Sequence, residues 1–110
     1  MMTIGKKLHE KVKPHAKRIA GIAHPHRLAI LYLLAHDPMW VRDLVNYLGL
    51  PENLISHHLK QMYEAGWVSK EKQGRTVTYR LNEKTFFDLP KLLLDTPFWR
   101  DTFLKTPKSR

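Results

Sequence analysis

A mainly α fold carrying one small β-hairpin is the architecture this sequence predicts, and three observations predict it. Apolar residues recur at steps of three and four through most of the chain. The period switches to two only around Gln73-Gly74. Proline and glycine punctuate the helical stretches at short intervals, as they do between the helices of a small bundle. The chain has 110 residues, is 43% hydrophobic and 26% charged, and contains no cysteine. That length and balance fit one globular domain spanning 1–110. The missing cysteines remove disulfides, thiolate metal sites and cysteine nucleophiles from consideration.

Residues 4–23 read as a first helix, with Ile4, Leu8, Val12, Ile19 and Ile22 in helical spacing and Pro14 expected to kink it or start a second turn. His24-Pro25 breaks it, because a residue before proline is pushed out of the helical region. Pro25 then suits the first turn of a helix over about 26–36. There Leu28, Ile30, Leu31, Leu33 and Leu34 are apolar on more than one side, which predicts a central core helix. Residues 42–48 form a short helix closed by Gly49, and after Leu50-Pro51 a further helix spans 52–65 with Leu54, Ile55, Leu59 and Met62 inward. Two short helices around a tight glycine turn predict a helix-turn-helix over 42–65. Residues 67–72 and 75–81 then pair as a half-buried hairpin, a wing over 67–81. Asn82 caps a last helix, 83–104, apolar at Phe86, Phe87, Leu89, Leu92 and Leu93, kinked at Pro90 and followed by Phe98, Trp99, Phe103 and Leu104. This order is a winged helix-turn-helix.

The net charge of +9 is uneven. Lys6, Lys7, Lys11, Lys13, Lys17 and Arg18 against Glu10 give residues 1–20 a charge of +5. The segment 21–59 is −1, 60–80 is +3, 81–104 is −1 and 105–110 is +3. Such a balance points to a polyanion, with an anionic membrane surface as the second possibility. The longest apolar run, Leu28 to Ala35, is far below the roughly 20 residues of a membrane span. The N-terminus shows no signal-peptide core, so a soluble, cytoplasmic chain is expected. The slightly acidic 21–59 region would specify a site, while the wing and two basic tails attract; trimming the tails is expected to cost affinity and spare specificity.

Four segments permit a family comparison. His24-Pro25-His26-Arg27-Leu28-Ala29-Ile30-Leu31 resembles the Asp-Pro-Thr-Arg-Leu-x-Ile-Leu segment of the ArsR family of dimeric transcription regulators. Leu48-Gly49-Leu50 followed by Ile55-Ser56-His57-His58-Leu59 resembles that family's recognition helix. Ala65-Gly66-Trp67-Val68 is similar to its approach to the wing, and Gly74-Arg75-Thr76-Val77-Thr78-Tyr79-Arg80-Leu81 to its wing strand. The four lie in the family's order over about residues 20–81.

The resemblance implies a homodimer, joined through the first and last helices (about 4–23 and 83–104), that represses promoters on double-stranded DNA. Leu8, Val12, Phe86, Phe87, Leu89, Leu92, Leu93, Phe98 and Trp99 are the expected interface, with intramolecular core as the competing reading of the same apolar residues. Outward residues of the recognition helix are Glu52, Asn53, Ser56, His57, Lys60 and Gln61. Ser56 and His57 match family positions that contact DNA. Asn53 suits adenine, Gln61 is placed to reach a phosphate, and Lys60 is counted with them as a DNA-binding residue. Glu52 either caps the helix or accepts from a cytosine amino group. Pro51 stands where the family often has serine, and neither its side chain nor its backbone nitrogen can bond a phosphate. Arg75 at the wing tip, with Lys72 and Thr76 beside it, suits the minor groove or phosphates, and Arg42, at the start of the short helix, either meets the backbone or merely covers it. A solvated hairpin turn is the plain alternative for the tip.

Trp40 and Arg42 stand where many relatives place metal-binding cysteines, and no histidine follows His58, so neither family metal site is expected. His9, His15, His24, His26, His36, His57 and His58 remain. An i,i+2 pair across a proline break and an i,i+1 pair on a helix present two donors to one ion poorly, so no metal residue and no cofactor is assigned. A pH effect is expected instead, with charge on His57 and His58 favouring DNA. No effector is identified. The alternative function is a winged-helix module whose basic tails dock an acidic protein. No phosphate loop and no catalytic set at meaningful spacing is present, so no enzyme is expected.

Overall fold

The computed structural model describes residues 4–94 and 96–103. Among the described residues six helices and a hairpin run in the order α1 (Ile4–Ala20), α2 (Pro25–Leu34), α3 (Val41–Leu48), α4 (Glu52–Glu64), β1 (Val68–Gln73), β2 (Thr76–Leu81), α5 (Glu83–Leu93) and α6 (Pro97–Phe103). Among these, no helix is long and apolar enough to cross a membrane.

Local chemistry sets most boundaries. His24 is the N-cap of α2, its Nδ1 accepting from the His26 amide at 3.0 Å, and Pro25 follows in the first turn. The Trp40 amide donates to Asp43 Oδ2 at 2.9 Å at the start of α3, and left-handed Gly49 (φ 65°) ends it. Gly66 (φ 87°) turns the chain out of α4. Asn82 Oδ1 accepts from the Lys84 amide at 3.2 Å and starts α5.

The core lies where α2, α3, α4 and the hairpin meet: Ile30, Leu34, Met39, Leu44, Ile55, Leu59, Met62, Trp67 and Val68. Trp67 fastens it to α1, its indole N–H donating to the Arg18 carbonyl at 2.6 Å and its ring meeting Phe86 edge-on at 5.3 Å. Gly21 makes this corner possible, since a Cβ there would lie 2.2 Å from the Ala65 Cβ.

The hairpin pairs antiparallel from Val68↔Leu81 to Gln73↔Thr76. Its two turn residues are therefore Gly74 (φ 63°) and Arg75, one place later than the Gln73-Gly74 turn read from sequence. Met39 exchanges backbone bonds with Tyr79 at 3.0 and 2.8 Å, which ties the base of the wing to the approach to α3.

Four expectations change. Pro14 lies inside one continuous α1, which stops at Ala20 where Gly21 and Ile22 close a tighter turn onto Arg18 and Ile19. In α2 only Ile30 and Leu34 are buried, while Leu28 and Tyr32 are 51% and 68% exposed, because α4 and β2 cover a single face. The stretch 83–104 is two helices: the chain leaves α5 after Leu93, and Thr96 Oγ1 accepts from the Trp99 amide to start α6. The N-terminal basic residues ride on α1, so that positive charge is carried along a helix and not on a free tail. The side chain of Leu89, residue Leu104 and the basic C-terminal stretch 105–110 lie outside the described residues.

Candidate nucleic-acid interface

Helix α4 buries Ile55, His58, Leu59 and Met62 and leaves Asn53, Ser56, His57 and Lys60 exposed. These four recur at steps of three and four, so they form one row along the outer face. The buried row seats α4 on α2 and α3, which leaves the outer row standing clear of the body. Three hydrogen-bonding side chains and a cation on a rigid helix can address base edges and phosphates. Pro51 is the N-cap of α4 and offers no side-chain hydrogen bond. Glu52 occupies the first turn, where a carboxylate is favoured by the helix dipole.

A cleft beside this row is lined by Trp40, Val41, Arg42, Glu52, Arg75, Thr76 and Val77. It gathers the start of α3, the start of α4 and the wing. Arg42 and Arg75, far apart in sequence, thus come to one opening with Glu52 as its acidic residue. Arg42 lies 5.9 Å over the Trp40 ring, and the Trp40 indole donates to Thr78 Oγ1 at 3.2 Å, so the wing holds the platform on which Arg42 rests. Lys72 and Arg75 are exposed at the hairpin tip, and Thr76 is half-buried. Gln61 is not part of this surface. It is half-buried and lines a cavity with Lys17, Gly21, Arg27 and Glu64.

His58 is also placed differently from the sequence expectation. It is 3% exposed, and burial above all, then the neighbouring His24, Arg27, His26 and His57, hold its pKa below the ordinary histidine value. Of the adjacent pair His57 and His58, only His57 is exposed on the outer face of α4. His58 instead accepts from Arg27 Nε at 3.1 Å through Nδ1 and meets His26 Nδ1 at 3.3 Å through Nε2. The sequence paired the histidines by adjacency and missed this cluster, whose members lie 32 residues apart, and no local signal announces it.

On another side, α1 packs on α5, with Arg18 and Asp88 3.7 Å apart. On these two helices Leu8, Phe86, Phe87 and Leu93 are exposed and Val12 and Leu92 are half-buried; on α6 Phe98 is exposed and Trp99 half-buried. Phe87 is 64% and Phe98 61% exposed among the described residues.

The family profile described as "Bacterial regulatory protein, arsR family" matches residues 24–70. The chain is 41% identical over 63 residues to the HTH-type transcriptional repressor SmtB of Mycobacterium tuberculosis (strain ATCC 25618 / H37Rv), covering 57% of this chain and 47% of that one. It is 33% identical over 85 residues to the uncharacterized HTH-type transcriptional regulator MJ1325 of Methanocaldococcus jannaschii, covering 76% of this chain and 96% of that one. The match therefore spans about half of SmtB and nearly all of MJ1325. Among solved structures, NolR from Sinorhizobium fredii superposes with a TM-score of 0.69 at 28% identity, over 84% of this chain and 94% of that one. The homodimeric winged helix-turn-helix domain of Mb0332 from Mycobacterium bovis has the same fold, with a TM-score of 0.67 at 22% identity over 91% and 95%. With the fold, the four motif segments and these matches in agreement, the chain belongs to the ArsR family of bacterial regulatory proteins.

Proposed function

We propose that this chain is a sequence-specific DNA-binding transcriptional repressor that acts as a homodimer. The observation that carries the proposal is the outer row of α4, Asn53–Ser56–His57–Lys60, standing clear of the body beside a wing tipped by Lys72 and Arg75. In this reading α4 enters the major groove, with Asn53, Ser56 and His57 at base edges and Lys60 at a phosphate. The wing follows the adjacent minor groove or backbone, and Arg42 binds phosphate from the cleft they share. The exposed apolar face of α1, α5 and α6 joins two copies, so that two recognition helices meet two half-sites of a palindromic operator. Relatives named as repressors support the regulatory role, and the homodimeric Mb0332 domain supports the assembly. The protein acts in the cytoplasm, where its DNA is, and binds without transforming a substrate.

The test is affinity for duplex DNA as a function of salt. Phosphate neutralisation makes log K fall steeply with log salt, by about 0.9 per phosphate. A steep slope is the expected result; a slope near zero would refute DNA binding.

A further inference from the structure

Three imidazoles meet where the start of α2 faces the middle of α4. His24 is the N-cap of α2, His26 lies in its first turn, and His58 is buried on α4. One ring nitrogen from each lies within 4.8 Å of the other two. His26 Nδ1 and His58 Nε2 are 3.3 Å apart, and the ring planes are tilted by 45° to 78° rather than stacked. Two nitrogens bound to one tetrahedral zinc ion at about 2.0–2.1 Å sit roughly 3.3 Å from each other. The closest pair therefore already has the spacing of two ligands, and His24 needs a small side-chain movement to complete the set.

We propose that His24, His26 and His58 form a three-histidine site for a divalent transition-metal ion of the zinc class. The donor set selects the ion. It holds three neutral nitrogens, no thiolate and no carboxylate, which suits zinc, nickel or copper and not calcium or magnesium. A fourth position is left for water or an anion. This revises the sequence expectation that no histidine binds metal, which weighed only neighbours in sequence.

The metal-free network shows what the ion has to displace. Arg27 Nε donates to His58 Nδ1, so the His58 proton resides on Nε2 and is shared with His26 Nδ1. His24 Nδ1 is likewise engaged by the His26 amide. Coordination through His58 Nε2 moves that proton to Nδ1 and turns away the Arg27 donor. Arg27 has an alternative acceptor, since its Nη1 already lies 3.5 Å from the Gly21 carbonyl oxygen, and Glu64 lines the same cavity. The charged and titratable groups around the cluster are Arg27 on α2, His57 on α4, and Lys17 and Glu64 along that cavity. With cations in the majority and only neutral ligands, binding is reversible rather than structural. An ion held here joins the start of α2 to the helix bearing the outer row.

The experiment is a calorimetric titration of the chelator-stripped full chain with zinc chloride near neutral pH. His24→Asn keeps an acceptor at the N-cap, and His26→Gln keeps a polar side chain, so both variants retain the fold by circular dichroism. The expected result is one zinc per chain, with each variant more than about 10-fold weaker, beyond the low end of the loss seen when only a supporting partner is removed. His9→Gln, exposed on α1 and outside the triad, binds as the wild type does. Cobalt(II) gives the intense visible bands of a four-coordinate site, lost in both triad variants. Absence of zinc binding, or affinity unchanged in His24→Asn and His26→Gln, would overturn the site. None of these readouts depends on DNA.

Discussion

Arg75→Ala is the substitution that isolates the wing. Arg75 is exposed, occupies the second turn position of the hairpin without a positive φ, and alanine fits there without disturbing the register. The surface around the outer row carries four exposed cations per chain: Arg42, Lys60, Lys72 and Arg75. If each neutralises one phosphate in a two-fold complex, log K falls against log salt with a slope of about −7, at about 0.9 per phosphate. Removing Arg75 from both copies lowers that slope in magnitude by about 1.8. Between about 50 and 200 mM salt the affinity gap between wild type and variant then narrows by about tenfold. Fluorescence anisotropy of a labelled duplex, repeated across salt concentrations, reads both quantities. Weaker binding with an unchanged slope would remove the wing from the phosphate-binding surface.

Other residues give independent tests. His57→Ala is expected to relax the preference between operator variants, by about 1–3 kcal/mol at the base it reads; an equal loss on every sequence would recast His57 as a phosphate contact. Gly21→Ala drives a Cβ to 2.2 Å from that of Ala65, and overpacking of this kind costs about 1–3 kcal/mol. Each 1 kcal/mol lowers Tm by about 4–8 °C in a domain near this size, so an unchanged thermal transition would contradict the close α1–α4 corner. With chelator present, urea denaturation should show stability full above about pH 6.5 and falling as the pH drops below it. The folded state holds His58 below its ordinary pKa, so the unfolded chain takes up that proton first. A flat profile from pH 7 to about 5 would show that His58 is not disfavoured as a cation.

What could be read from sequence was what local chemistry decides. Pro25, Gly49, Gly66 and Asn82 each mark a boundary through backbone geometry or capping, and the structure uses them that way. The inward set Ile55, Leu59 and Met62 followed from helical spacing, and the outer row of α4 followed from it. Contacts that join distant segments left no such trace. Apolar character alone did not separate Ile30, which is fully buried, from Tyr32 two residues on, because the difference is which side α4 covers. Gln61 shares its helix with the outer row yet turns toward Gly21 and Arg27. The end of α5 at Leu93 and the meeting of Arg27 with His58 depend equally on tertiary placement. Charge was legible as an amount and not as a shape: six basic residues that read as a tail lie along α1, so their contribution is better removed by Lys→Gln exchange than by truncation.

Selection of bound duplexes from a random pool tests most directly whether two copies read DNA through paired α4 helices. The predicted result is a two-fold symmetric consensus with half-site centres about one helical turn apart, roughly 34–36 Å. A pool that shows no enrichment, or that converges on a single asymmetric site bound by one copy, would contradict it.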